Sequence, residues 1–567
     1  AKATTAASLA MLPINPSGDA ANRSNGTSGF PFARFPHGAD IWNASTLWEK
    51  VTLHHPAGVI ANVYNGRVRW ADVNYLSFEA LYVLSLVAYP VLLVCLLLIL
   101  TILVSICIAQ DPEGARARAA HAAASSGEGF GGSVSEALSE LGPHARCVFT
   151  GWAMLCRAIP ALLVFGTPMA LVALSYPYPQ EVFVLLVVVS SVLVFSNGIY
   201  MVYHCPFTLL GLHRAIADRP GALLGPAERA EQDEVLHWVI FPNFDEDVEV
   251  MASALESVAR CASARAQISV LLAMEEREHG SIDKAFRLQE RFACRFRAVE
   301  ATFHPPDLPN DPPGKASNLA WAFRWLVRHL NESQENIQRV VLTVSDADSD
   351  FHEFYFDGVA RAYVDAGPSG QQDLTLWQSP VLHVKNYHRQ PMPVVVGTMF
   401  TAMSEMALLS DPNAVRFPYS TYSLSLALAR RVGGWDPEWI AEDWHMGIKC
   451  FLLTFGRSRV QPILLPTVNY TPEAETWLGT LGARWSQAKR HALGFSDMSY
   501  YFMLMPLIFA RLSSKRFEES ADLGDFWRVF FHGLVYIVRF VNTHVVIGIM
   551  TMYTMASWVL QRVMLQE

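Results

Sequence analysis

The sequence predicts an open α/β domain set among apolar, membrane-spanning helices, and three observations carry that expectation. First, the 567-residue chain is 51% hydrophobic and only 17% charged, which is apolar for a soluble protein. Second, it contains several apolar runs near the roughly 20 residues that a helix needs to cross a hydrocarbon core. Third, between residues 221 and 498 strand-like runs alternate with helical stretches. That rhythm belongs to an open sheet whose ligands bind beyond the carboxyl ends of its strands.

Residues 1–79 are rich in Ala, Ser, Asn, Gly and Pro and read as a loosely structured tail. The tail carries three N-glycosylation sequons, at Asn22, Asn25 and Asn43, which place it in a lumen or outside the cell unless the short pattern arose by chance. Residues 80–108 are the expected first span. Residues 109–157, with their Gly/Ser/Ala-rich stretch, read as a cytosolic linker. Residues 158–204 form the second and third spans, at 159–176 and 182–203, joined by the turn 177–181. That turn has no Lys or Arg, whereas Arg157, Arg214 and Arg219 flank the hairpin. Its tip therefore faces away from the cytosol, and the domain at 221–498 is cytosolic.

Within that domain, 237–241, 268–273 and 340–344 read as strands, and 248–261 and 283–297 as helices. Residues 499–540 read as interfacial amphipathic helices anchored by aromatic and basic residues, and 541–562 as a fourth span. Arg528, His532, Arg539 and Asn542 form one polar stripe on an apolar helix. Two readings of it stay open: a helix lying on the membrane surface, or a stripe facing the domain at 221–498 or a hydrated passage.

The net charge of −9 carries no long basic run, which argues against a nucleic-acid partner. Eight cysteines without a CxxC pair read as packing thiols.

The chemistry concentrates on loops after the strand-like runs. Ser345-Asp-Ala-Asp-Ser349 follows the 340–344 run, and carboxylates at i and i+2 can offer oxygen ligands to one hard cation bridging a diphosphate. Upstream lie Asn243 and Asp245 at the end of the first run and Glu275-Glu276 at the end of the second. Gly314-Lys-Ala-Ser-Asn318 opens a helix, where Lys315, Asn318 and free amides suit a phosphate. Downstream come Gly433-Gly-Trp-Asp436, Ala441-Glu-Asp443 and Gln487-Ala-Lys-Arg-His491.

With these motifs in this order, residues 236–500 resemble the processive-type family 2 glycosyltransferases, the group of cellulose, chitin and hyaluronan synthases. The resemblance implies a GT-A fold, a UDP-linked or other nucleotide-sugar donor, inversion at the anomeric carbon, and a glycan or lipid-linked acceptor. Asp346 and Asp348 match the pair that holds Mg2+ or Mn2+. Asp443, beside Glu442, matches the general base, although an N-cap role is the other reading of that residue. Gln487 and Arg490 match the segment between acceptor and donor diphosphate, with Trp444, Trp485 and His491 on the acceptor side. The sequence departs from the family at Glu275-Glu276, where Asp-Asp-Gly is usual, at His491 in place of tryptophan, and at 417–422.

The expected whole is a multi-pass membrane protein with a GT-A domain inserted between transmembrane helices. It would sit among membrane lipids at the plasma membrane or in the Golgi and endomembranes. About four spans are too few for a self-contained translocation channel, so export of a polymer would require a homo-oligomer or a membrane complex. A catalytically silent glycosyltransferase-like subunit is the competing expectation, motivated by Glu275-Glu276 and His491.

Overall fold

The computed structural model describes residues 97, 99–111, 114, 138, 139, 141–166, 169, 179–218, 231, 232, 234–309, 311–333, 337–513 and 523–540. The three sequons, most of the first expected span and all of the fourth lie outside these residues. Of the 80–108 run, an apolar helix at Ile99–Ala109 is described.

A seven-stranded mixed sheet forms the centre of the α/β domain. It is built from β1 (Leu236–Asn243), β2 (Ile268–Glu275), β3 (Ala298–His304), β4 (Val340–Val344), β6 (Thr375–Gln378), β8 (Tyr422–Ser425) and β9 (Arg459–Pro462), in the order β3-β2-β1-β4-β8-β6-β9. All neighbouring strands run parallel except β8, which is antiparallel to β4 and β6. Every residue of β2 is buried, as expected for a parallel strand covered on both faces. That is why its sequence is a continuous apolar run rather than an alternating one. A small second sheet joins β5 (Asp350–Phe351), β7 (Val381–Leu382) and β10 (Thr467–Val468) in the order β5-β10-β7.

The principal helices from Pro143 onward, among the described residues, are α1 (Pro143–Ala161), α2 (Pro179–Asp218), α3 (Val248–Ala259), α4 (Ser281–Phe292), α5 (Lys315–Glu332), α6 (Tyr355–Ala366), α7 (Met392–Ser410), α8 (Leu426–Arg431), α9 (Glu442–Leu453), α10 (Trp477–Leu493), α11 (Asp497–Ser513) and α12 (Leu523–Phe540). Helix α3 starts where the Asp247 side chain accepts from the Glu249 amide at 2.8 Å, satisfying one of the unpaired amides of a helix start. Its inner face, with Met251, Leu255 and Val258, joins Val239, Phe241, Leu272 and Phe356 in the core.

Three expectations are corrected. The stretch read as the end of a linker is already helical from Pro143, because α1 buries Phe149, Trp152 and Cys156. The third expected span is part of a 40-residue helix that continues to Asp218. The segment expected to be an interfacial helix at 499–512 is instead buried. In α11, Tyr500, Met503 and Leu504 are fully enclosed, and Trp152 Nε1 donates to the Phe502 carbonyl at 3.0 Å. A helix apolar all round belongs in a protein core as readily as at a lipid boundary.

Among the described residues two helical stretches are long and apolar enough to cross a membrane, Met392–Ser410 and Trp477–Ala510. The second is 83% buried against the rest of the chain. The first, α7, lies along α2: Thr208 Oγ1 donates to the Met406 carbonyl at 2.5 Å, Ser410 Oγ to the His204 carbonyl at 2.8 Å, and Tyr200 Oη to Asp411 Oδ2 at 2.8 Å.

The polar stripe on α12 resolves in part toward the α/β domain. Asp525 is bound by Arg457 at 2.7 Å and Arg528 at 2.6 Å. The Arg539 guanidinium lies 5.1 Å from the Phe417 ring centroid. His532 is exposed, and Asn542 lies outside the described residues.

Candidate active site

The carboxyl ends of β1, β2, β3 and β4 share one edge of the sheet, since Ile240 pairs with Val344, Asn243 with Met274 and Glu275 with His304. The turn after β4 delivers Asp346 to the centre of a polar cluster. Lys315, the first residue of α5, reaches Asp346 Oδ1 and Glu442 Oε1 at 2.6 Å each. Ser420 Oγ donates to Asp346 Oδ2, and Asn469 Nδ2 lies 3.3 Å from the same oxygen. The Ser420 amide donates to Asp443 Oδ2 at 2.9 Å, and the Trp444 amide to Asp443 Oδ1 at 2.7 Å. Ser420 thus touches both carboxylates, and it does so with φ = 54°, a left-handed conformation that costs a non-glycine residue about 1–2 kcal/mol.

Charge explains the arrangement. Burial works against ionisation of Asp346, but the Lys315 ammonium and the Ser420 hydroxyl hold its carboxyl below the usual range. Burial, then the neighbouring Asp346 charge, pushes Asp348 up to about 6. Its Oδ2 accepts from the Tyr470 amide at 2.9 Å, and its carbonyl accepts from Lys385 Nζ at 2.6 Å. Burial likewise pushes Glu442 up to about 7 against the pull of Lys315. Crowded carboxylates of this kind are short of positive charge, and that deficit fits a hard divalent cation held by Asp346 and Asp348. Among the described residues no group of three or more His, Cys, Asp or Glu side chains is gathered as a closed metal site.

Other sequence-selected residues divide into those at the edge and those drawn into packing. Glu275 is 1% exposed and bound to His304 Nδ1 at 3.2 Å and Arg277 Nε at 3.3 Å, whereas Glu276 and Asp245 are exposed. Asn243 Nδ2 donates to Glu246 Oε2 at 2.6 Å. Asn318, expected near the phosphate, is buried and donates to the Ala273 carbonyl at 2.7 Å, fastening α5 to β2. Gln487 accepts from Arg484. Its amide oxygen thus meets a neighbour on the same helix. Arg490 and His491 are exposed on α10, and Trp485 is 66% exposed. The Trp444 ring stacks on Phe417 with centroids 4.4 Å apart and 6° between planes, so one of its faces is covered.

Sequence reasoning missed Ser420, Asn469, Lys385 and a further polar group beyond Asp443. Glu405 Oε2, Tyr419 Oη and Arg539 Nη1 are buried without a hydrogen-bond partner, and the three interact electrostatically. Only Glu405 carried a signal, as the single carboxylate within the apolar run 392–410.

Residues 341–561 match the family model described as glycosyl transferase family group 2. The matched segment holds Asp346, Asp348, Asp443 and Gln487, and it covers the part of the mixed α/β sheet from β4 onward. The chain accordingly carries a glycosyltransferase-like domain. No curated protein sequence matches it.

Among solved structures it is similar to the mannosyltransferase PcManGT from Pyrobaculum calidifontis in complex with GDP-Man and Mn2+, with 14% identity, a TM-score of 0.33, and 66% of this chain and 98% of that one covered. It is also similar to glucosyl-3-phosphoglycerate synthase from Mycobacterium tuberculosis in complex with Mn2+, UDP-glucose and phosphoglyceric acid (15% identity, TM-score 0.28, 49% and 85% covered). A third is S. aureus TarS 1-349 (15% identity, TM-score 0.28, 55% and 90% covered).

Proposed function

We propose that this chain moves a sugar from a nucleotide-sugar donor to an acceptor hydroxyl by a single, inverting displacement at a membrane. The observation that carries the reading is the convergence of Asp346, Lys315, Glu442 and Asp443 around Ser420. A leaving-group site and a base then lie side by side at the sheet edge. A divalent cation bound at Asp346 and Asp348 would neutralise charge on the departing nucleoside diphosphate.

Lys315, at the start of α5, adds an ammonium and helix-terminal amides to that charge balance. Asp443 accepts the proton of the acceptor hydroxyl as the new glycosidic bond forms. Its two backbone hydrogen bonds fix the carboxylate in orientation. Beyond it, Glu405 Oε2, Tyr419 Oη and Arg539 Nη1 have no hydrogen-bond partner and offer both donors and acceptors, a set that suits the hydroxyls of a glycan or a glycosylated lipid headgroup.

Exposed apolar side chains support a membrane setting. Met392, Val396, Met399, Phe400 and Met403 form one face of α7, and Ile199, Val202, Tyr203, Phe207 and Leu210 are exposed on α2. Such contiguous faces mark lipid or protein contact.

The test separates base from donor site. Asp443→Asn is expected to lower kcat by at least about 10²-fold while nucleotide affinity stays within about twofold. Asp346→Ala is expected to weaken Mn2+-dependent nucleotide binding. Full activity of Asp443→Asn, measured by donor turnover in the detergent-solubilised full chain, would remove Asp443 as the base.

A further inference from the structure

Two positions beyond Asp443, His445 is 2% exposed, and both of its ring nitrogens face carboxylates. Nε2 lies 2.8 Å from Asp436 Oδ2, and Nδ1 lies 3.2 Å from Asp497 Oδ1. The ring stacks on Trp439, with centroids 4.9 Å apart and 15° between planes, and Tyr500 closes in at 4.2 Å. Lys449, four residues on along the same face of α9, donates to Asp436 Oδ1 at 2.7 Å and to the Gly434 carbonyl at 2.9 Å.

The group therefore fastens together three elements: the first turns of α9, the Gly433-Gly434-Trp435-Asp436 turn, and the start of α11. Gly434 holds φ = 73°, and a Cβ there would overlap the Phe323 ring, so that turn has little room to follow a moving α9.

Hydrogen count decides what the arrangement requires. An ionised carboxylate only accepts, and a neutral imidazole carries a single N–H. Two carboxylates on opposite ring nitrogens therefore need one more proton, on His445 Nδ1 or on Asp497. Burial opposes charge on His445, but its hydrogen bonds to Asp436 and Asp497 outweigh burial and raise its pKa above the ordinary value. Burial pushes Asp497 up to about 6 while His445 pulls it back. Burial also opposes Asp436, which Lys449 and His445 nevertheless hold at about 2. The titratable and charged groups facing His445 are Asp436 from the turn, Asp497 and Tyr500 from α11, and Lys449 from α9 itself.

We propose that His445 is a positioning residue for sugar transfer. Through a proton shared along Asp436–His445–Asp497 it locks the first turn of α9, and with it Asp443, in register with the donor site. The proposal rests on reading Asp443 as the base. Once that proton is lost, Nδ1 and an ionised Asp497 oppose each other with no hydrogen between them, and the turn relaxes. A shift of about 1 Å at a reacting group costs on the order of 10²-fold in rate. With Asp497 ionised, the raised His445 pKa sets the sign: the lock is complete below the ordinary histidine value and is lost as pH rises through the raised one.

The experiment uses the full chain in detergent, with kcat and donor KM followed from about pH 6 to about pH 10. Wild-type kcat should fall along an alkaline limb. In Asp497→Asn the side-chain amide donates to neutral His445 Nδ1 and replaces the shared proton, so the limb should move up by about one pH unit or more. His445→Gln cannot bridge two carboxylates, so its kcat should drop on the order of tenfold or more, with donor KM within about twofold. An unmoved limb in Asp497→Asn overturns the proposal. So does a His445→Gln variant that loses kcat and donor affinity together in step with folded protein. If the wild type turns over no nucleotide sugar, the transfer reading fails, and the lock is then decided by melting. The wild-type Tm should fall through the same pH window and that of Asp497→Asn should not; equal profiles overturn it.

Discussion

Ser420 holds two jobs in one strained residue, and they can be separated. Its amide serves Asp443 and its hydroxyl serves Asp346, so Ser420→Gly keeps the first and deletes the second while relieving the left-handed backbone. A hydrogen bond to a charged group contributes about 1.5–3 kcal/mol. Ser420→Gly is therefore expected to raise the Mn2+ concentration needed for half-maximal turnover by roughly tenfold or more, with kcat at saturating Mn2+ changed by about twofold or less. A metal titration of both proteins checks this. Nothing in the segment 417–422 announced the role, because a serine in a turn looks like any other serine until its φ and its partners are known. The carboxylates were easier to find: Asp346 and Asp443 stand where strand ends and helix starts place chemistry. Glu275 and Asn318 were legible as residues at the sheet edge but not as packing groups, since their partners, His304 and the Ala273 carbonyl, lie 29 and 45 residues away in sequence.

At the scale of elements, the docking of α12 depends on Asp525. This carboxylate is buried in the helix's first turn and takes Arg457 from the loop after α9 and Arg528 from its own helix. Because both arginines are partly exposed, the loss on Asp525→Ala is discounted to about 1–3 kcal/mol. The expected result is faster amide hydrogen exchange along Leu523–Phe540, with nucleotide binding at β4 and α5 unchanged. The strands were the most legible elements: the run 340–344 is β4 to the residue, because buried parallel strands leave short apolar runs bounded by turns. Helices α7 and α11 were the least legible. Their sequences are apolar on nearly every side, and hydrophobicity alone does not distinguish protein from lipid as the neighbour. Packing settled α11, through Trp152 and the α9 contacts.

For the whole molecule, the apolar faces of α2 and α7 predict that the chain stays with membranes through washes at about 1 M salt and leaves them only in detergent. Salt screens charge to about 3 Å at that strength and leaves apolar contact intact. Release by salt, measured by flotation with vesicles, would mean that charge rather than apolar contact holds it there. The position of the sheet among the helices was legible from composition. The distribution of apolar surface was not, because exposure is a property of the assembled faces rather than of any one run.

Helix α2 gives that assembly a further consequence. At about 1.5 Å per residue its 40 residues extend roughly 60 Å, about twice a bilayer's hydrocarbon thickness. It is pinned to α7 by Tyr200, His204 and Thr208, and Gly211 lies so close to Leu464 that a Cβ there would come within 2.6 Å of its Cδ1. A rod clamped at successive turns resists both swivel and tilt. With α2 seated in a membrane, the sheet edge would be carried at a set height and heading, and a substrate would have to come to that height to be used.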